Sequence, residues 1–347
     1  MMIFYIPDFY ITGVGFNALN KSREDLLLIY QSMNFMPLID KIVTLNDEKV
    51  KYFASNMNLL SGYVDEIIEA IDKKCNAGDF LLMDFPFAVK FAGYPKIVSY
   101  ACSKKVKVVF FIHDLDGVRF QNPILNMSDS SCLDMAHCLI SASKEMDEVL
   151  HEQLKVSKKV KIVNHDYWDY LVKDKTINDK RNALICFAGN LAKSDFIKDL
   201  PDELVSQGFN CYGKGFGLNY KGNFCGEYDP ETLVHVLDGR FGLVWDGKSS
   251  DSCSGNFGKY LKINTSHKFG LYMASAKPVI VWREGSLSNY VVSHKIGITI
   301  NTLDEIPDIL SKVDIYAYKK MVDNVLEIRK EVINGDHLKK VILSTLR

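Results

Sequence analysis

Two short stretches hold the residues best placed to do chemistry. In "NTSHKFGLYMASAKPVIVW", residues 264–282, three polar residues precede an amphipathic run in which Phe269, Tyr272, Met273 and Ala276 recur at i, i+3, i+4 and i+7. Asn264, Thr265 and Ser266 are all competent N-caps, Pro278 stops the run, and the spacing predicts a helix over 265–276. Lys268 then falls in the first turn, where free N–H groups and the helix dipole favour an anion and a cation costs some tenths of a kcal/mol. A phosphate held between the ammonium, the N–H groups and the Thr265 and Ser266 hydroxyls would reverse that penalty. A solvated surface lysine is the alternative.

The second stretch, "VVFFIHDLDGVRF" (108–120), ends an apolar run in His113, Asp114 and Asp116. An imidazole titrates near neutrality and a neighbouring carboxylate can orient it, so His113 or Asp114 is a candidate general base. "DLD" also fits an Asp-x-Asp metal site, although so short a match has little specificity, and Asp114 as a helix cap with His113 as a hydrogen-bonded core residue is the plainer reading.

Three further segments supply binding candidates. In "FAGNLAKSDFI" (187–197), Gly189 permits close backbone approach, Asn190 can pair with a base or ribose, and Lys193 can reach phosphate oxygens; an ordinary loop is equally consistent. Tyr228, just before the Asp-Pro helix start of "EYDPETLVHVL", can stack on a nucleobase or pack in the core. "ITGVGFNA" (11–18) matches a G-x-G-x-x-A dinucleotide fingerprint through Gly13, Gly15 and Ala18. Six residues separate it from the first strand and Asp40 does not end a second one, so Gly15 is read as part of a glycine loop near the donor phosphates or the acceptor. No G-x-S-x-G, H-E-x-x-H or Walker A pattern occurs, which removes the common hydrolase, metalloprotease and NTPase classes.

The elements that must position these residues alternate in period. Apolar runs at 2–6, 80–84, 106–112, 138–142 and 159–163 are separated by helical patterns at 21–33, 59–74, 89–105 and 144–154. The alternation restarts with strands at 183–189, 209–213, 241–245, 278–282 and 296–300, and helices near 230–239, 265–276, 286–294 and 304–312. Runs with so little polar interruption suit parallel strands buried on both faces. The expected fold is α/β, two doubly wound Rossmann-like domains with a cleft between them. The expected boundaries are 1–172 for an acceptor domain, 173–315 for a nucleotide-sugar domain, and 316–347 for a helical segment packing back on the first. The stretch 164–182 reads as a polar linker, its Tyr167, Trp168 and Tyr170 placed at an interface.

Composition narrows the class. With 347 residues, 47% hydrophobic, 24% charged and a formal net charge of −1, the chain is an ordinary globular protein with no global field for nucleic acid or anionic membrane. Its eight cysteines are scattered without a C-x-x-C pair, which fits buried thiols in a reducing compartment. The N-terminus lacks a basic region and no run approaches a membrane span, so a cytoplasmic location is expected, extending to the inner face of the membrane.

Taken together, "FIHDLDGVRF", "FAGNLAKSDFIKDL", "FGLVWDG" and "SHKFGLYMASAKPVIV" resemble, in order and spacing, the GT-B glycosyltransferases that include bacterial β-1,6-galactofuranosyltransferases and the glucosyltransferases extending O-glycans on serine-rich repeat adhesins. The resemblance covers nearly the whole chain. It implies a metal-independent, inverting enzyme that moves galactofuranose or glucose from a UDP-sugar to a hydroxyl of a growing glycan, with no cofactor beyond the donor substrate. It assigns Lys268 to the UDP diphosphate and puts Asn190, Lys193 and Tyr228 near the uridine diphosphate. One departure is that a member of the family carries arginine where Lys193 stands, so bidentate phosphate pairing is lost there. Expected partners are the UDP-sugar and a glycan or glycolipid acceptor, not nucleic acid; peripheral membrane association through the acceptor and homo-oligomerisation stay open. The rival readings are a metal-dependent transferase using Asp114 and Asp116, a catalytically silent GT-B partner scaffolding another transferase, and, furthest off, a nicotinamide enzyme.

Overall fold

The computed structural model describes residues 1–8, 10–12, 18–40, 44–46, 57–87 and 93–347. The chain divides into two compact units: Met1–Gly15 with Ser22–His165 and Leu338–Arg347, and Phe16–Lys21 with Asp166–His337.

The first unit holds strands β1 (Ile3–Tyr5), β2 (Tyr10–Thr12), β3 (Met36–Pro37), β4 (Thr44–Asn46), β5 (Phe80–Phe85), β6 (Lys107–Ile112), β7 (Cys138–Ser141) and β8 (Lys161–Asn164). Among the described residues they form a parallel sheet in the order β3-β1-β5-β6-β7-β8, with β2 and β4 paired separately. All of β5 and all but the first residue of β6 are buried, as their unbroken apolar runs require; Asp84 is the one carboxylate in that pair. Asp84 stands opposite Phe111 and Phe85 opposite Ile112, and the His113 N–H donates to the Phe85 carbonyl at 2.7 Å, carrying the ladder one residue past β6.

The second unit repeats the plan with β9 (Ile185–Ala188), β10 (Phe209–Tyr212), β11 (Asn223–Gly226), β12 (Phe241–Val244), β13 (Val279–Trp282) and β14 (Gly297–Ile300), ordered β11-β10-β9-β12-β13-β14 and parallel throughout. Alternate residues of the strands feed two cores. Cys186, Ala188, Val244, Val279 and Val281 pack on Phe269 and Tyr272, whereas Ile185, Phe187, Leu243 and Ile280 face Phe196 and Phe209.

Strand order matters for function. In the first sheet the chain runs from β1 outward to β3 and then returns to place β5 on the other side of β1; in the second it runs from β9 out through β10 to β11 and returns with β12. Loops leaving the carboxyl ends therefore diverge between β1 and β5 and between β9 and β12. Such switch points open a crevice in doubly wound folds.

The helix expected over 265–276 spans His267–Ala274. Ser266 caps it, and it closes before Pro278 because Ala276 turns into the left-handed region at φ 55°, with the Lys277 N–H bonding the Tyr272 carbonyl at 2.9 Å. Tyr272 anchors the helix to the sheet: its hydroxyl accepts from the Ala188 N–H at 3.0 Å and donates to the Leu243 carbonyl at 3.1 Å. Gly242 is required beneath it, since a Cβ there would enter the Tyr272 ring.

The stretch expected as a polar linker is instead packed into the second unit, with Tyr167, Trp168 and Tyr170 each under 5% exposed. Tyr167 and Tyr170 join the core cluster of Phe269, and Gly270 lets the backbone approach the Trp168 carbonyl. The aromatic residues outweigh the polar ones around them. The helix Ile315–Val332 also lies in the second unit, where buried Arg329 donates to the Ala274 carbonyl at 2.7 Å and the Lys175 carbonyl at 3.0 Å. The last helix, Asp336–Thr345, meets the first unit, its Ser344 carbonyl accepting from Lys161 Nζ at 2.7 Å. Among the described residues no helix is long and apolar enough to cross a membrane.

Candidate functional site

The switch point of the second unit brings four residues together. Gly189 leaves the end of β9, Asp246 follows the end of β12, and Ser266 and Lys268 arrive on the helix His267–Ala274. Ser266 Oγ accepts from the Lys268 N–H at 3.4 Å, and the Lys268 side chain then crosses Gly189. A Cβ on Gly189 would lie 3.0 Å from Lys268 Cε, so the lysine passes close over the glycine backbone. Lys268 Nζ ends 3.0 Å from each oxygen of Asp246 and 5.5 Å from the centre of the Phe187 ring. Gly213, at the end of β10 with φ 131°, packs on the Gly189 carbonyl where a side chain would collide.

The remaining binding candidates spread along the same sheet end. Asn190 is exposed at the start of the short 3₁₀ turn Leu191–Lys193. Lys193 is also exposed, its ammonium 4.8 Å above the Phe257 ring. Thr265 is buried and its hydroxyl meets no hydrogen-bond partner among the described residues, so Ser266 alone performs the cap. Tyr228 is partly exposed, its ring centre 6.4 Å from that of Tyr212. It follows β11, two strands and about 10 Å from β9. Asp229, next in the chain, caps the helix Pro230–Val236 by accepting from the Glu231 and Thr232 N–H groups at 3.0 Å.

In the first unit the switch point is filled by buried charge. Asp8 lies beyond β1, Asp84 near the end of β5, His113 directly after β6, and Arg23 on the helix Ala18–Ser32; none of these side chains is more than 8% exposed. Arg23 Nε pairs with Asp8 and its Nη2 donates to the Pro86 carbonyl at 2.8 Å. His113 Nε2 stands 3.5 Å from Asp84 Oδ1. Burial pushes the Asp84 carboxyl up to about 7 despite the opposing pull of Arg23, and burial together with Arg23 holds the His113 imidazole well below its usual range. Both groups are thus biased to their neutral forms.

Asp114 points elsewhere, accepting from Arg119 Nη1 at 3.0 Å with about a quarter of its side chain exposed, and Asp116 opens the helix Asp116–Arg119. Among the described residues no three His, Cys, Asp or Glu side chains assemble into a metal cluster. Gly13 and Gly15 lie outside the described residues.

Sequence reasoning did not single out Asp8, Arg23, Asp84 or Asp246. Two of them left a signal: Asp84 interrupts the apolar run "FLLMDF", and Asp246 follows the strand "FGLVW".

Comparison with known proteins bears on the fold and the family. Models of the glucosyltransferase 3-like family match the chain in both halves, the N-terminal domain over residues 4–166 and the C-terminal domain over 185–345. The β-1,6-galactofuranosyltransferase WbbI of Escherichia coli K12 is 29% identical over 304 residues, 83% of this chain and 86% of that protein. Glucosyltransferase 3 of Streptococcus gordonii is 25% identical over 248 residues, 70% of this chain and 71% of that one. Among solved structures, sucrose-phosphate synthase of Thermosynechococcus elongatus superposes with a TM-score of 0.60 at 13% identity, covering 99% of this chain and 98% of the other. Anabaena HepE in complex with UDP superposes with a TM-score of 0.61 at 12% identity, covering 100% and 99%. At such identities the structural likeness speaks for the fold, which is GT-B with two doubly wound parallel units. With one family's two domain models matched in order along it, the chain belongs to the glucosyltransferase 3-like family.

Proposed function

We propose that the chain is a glycosyltransferase that moves a hexose, galactofuranose or glucose, from a UDP-sugar to a sugar hydroxyl of a growing glycan. The observation that carries this reading is the path of Lys268 across Gly189 to the switch point of the second unit, at the N-terminus of its own helix. An ammonium at the positive end of a helix dipole suits a diphosphate, and it offsets the charge that builds on the diphosphate as the anomeric C–O bond breaks. Asn190, Lys193 and Tyr228 would serve the nucleoside end. The relatives with galactofuranosyl- and glucosyltransferase names support the hexose class.

The first unit would hold the acceptor. His113 takes the proton of the attacking hydroxyl in this reading: its imidazole is neutral at pH 7 and backed by Asp84, whereas the carboxylate of Asp114 is engaged by Arg119. Direct attack with a base in place inverts the anomeric centre, and no metal enters, so activity should persist in excess EDTA.

The test is calorimetric titration of UDP into Lys268→Ala. At least a tenfold loss of affinity is expected, and unchanged binding overturns the donor assignment. The anomeric configuration of the product, read by NMR, decides inversion separately.

A further inference from the structure

The donor site contains an anion of its own. Both Asp246 oxygens sit 3.0 Å from Lys268 Nζ, with 28% and 16% of the respective side chains exposed, across the switch between β9 and β12. The position is built rather than incidental. Gly247, at φ 125°, turns the chain immediately after Asp246 and packs on Ser254, and Gly258 has no room for a Cβ against the Asp246 carbonyl. The fold has other means of holding the lysine's helix, through Tyr272 and Phe269.

A carboxylate on the same ammonium that a diphosphate must use cannot be neutral toward binding. Like charges a few ångströms apart repel, and Lys268 cannot satisfy both anions fully. The conflict is larger for the product, because a free terminal phosphate loses a second proton near pH 6 and UDP therefore carries more charge than the UDP-sugar.

We infer that Asp246 is a positioning residue of the donor site: it holds Lys268 extended across Gly189 while the site is empty, exchanges with the diphosphate on binding, and weakens the grip on the UDP product. The inference rests on the donor reading above.

The experiment is a double-mutant cycle with UDP titrated into wild type, Asp246→Asn, Lys268→Ala and the double variant. Asp246→Asn is expected to bind UDP about 3- to 10-fold tighter, a gain of roughly 0.7–1.4 kcal/mol. That gain should change when Lys268 is already alanine, since the competition for the ammonium is then gone and only the direct repulsion between Asp246 and the diphosphate is left, and Asp246→Glu should restore wild-type affinity. A purely structural carboxylate would lower the melting temperature without this coupling. Asp246→Ser gives the same readout should the asparagine variant fail to fold. If Lys268→Ala loses UDP while removal of the Asp246 charge leaves affinity within twofold or weakens it, this inference falls and the donor site stands. If Lys268→Ala binds UDP as wild type does, the donor site itself falls.

Discussion

The two switch points arise the same way, from a chain that runs out on one side of the unit's first strand and returns on the other, and they have opposite chemistry. At the first, Asp8, Arg23, Asp84 and His113 are sealed from water; at the second, glycine backbone and partly exposed cations line the sheet end. The difference follows from what each environment does to charge. Burial moves the Asp84 carboxyl toward neutrality and keeps the His113 imidazole neutral, the form that accepts a proton, whereas capture of an anion suits a cation at a helix N-terminus within reach of solvent. One scaffold can therefore host two kinds of site, with the residues at the strand ends deciding which.

The sharpest way to break this contrast is at the imidazole. His113→Ala is expected to lower kcat by about 10²- to 10⁴-fold while UDP affinity stays within twofold, measured by steady-state kinetics and calorimetry on the same preparation. A parallel loss of UDP affinity would mean the two sheet ends do not divide the labour. Next in size is Arg23→Met, which leaves Asp8 and Asp84 buried without their cation. Denaturant unfolding should show a loss of about 3–5 kcal/mol. In the second unit, Gly189→Val places branched methyls against Lys268 Cε and should weaken UDP by roughly tenfold, near 1.4 kcal/mol, with folding preserved.

A further comparison is in the pH slopes of the melting temperature, which separate the units by their titration windows. Asp84, raised from about 3.9 in the unfolded chain to about 7, contributes stability that is present below pH 4 and lost as pH rises toward 7. His113, depressed from about 6.5, contributes stability that is lost as pH falls below that value. The two oppose each other, so Asp84→Asn should uncover an acid-side loss that the wild type masks. The second unit titrates elsewhere. Lys277 is fully buried, donates to the Lys180 carbonyl at 2.8 Å and is pushed down to about 8. Its contribution is present above about 10.4 and lost as pH falls through 8, so Lys277→Met should flatten the stability profile between those values.

The strands of both sheets are largely legible in the sequence because parallel strands buried on two faces read as unbroken apolar runs. The helix of Lys268 is legible because its apolar period, caps and stop agree. β2, β3 and β4 run only two or three residues and are too brief to show a period, while β11, as long as its legible neighbours, is an edge strand whose sequence NFCG is half exposed and carries no apolar run. What escapes is adjacency. Asp246 belongs beside Lys268 only because β12 returns to the side of β9, and Asp84 stands beside His113 only because β5 pairs with β6 in the register that sets Asp84 opposite Phe111. Arg23 and Phe257 are invisible for the same reason: each finds its partner, Asp8 or Lys193, through tertiary packing that no local pattern encodes.

The tyrosine that joins the lysine's helix to the backbone of β9 and β12, with Gly242 leaving room for its ring, has an evolutionary corollary. The aim of Lys268 is set by core packing, so descendants of this chain cannot easily redirect the lysine without unfolding the sheet beneath it. Exposed residues of the neighbouring segments, such as Lys248, Asp251 and Asn256, are under no such restraint. If the proposed donor site is right, a lineage built this way can exchange one donor sugar for another by rewriting exposed loops while inheriting the placement of Lys268 unchanged, which makes the anchor a source of diversification as well as of rigidity.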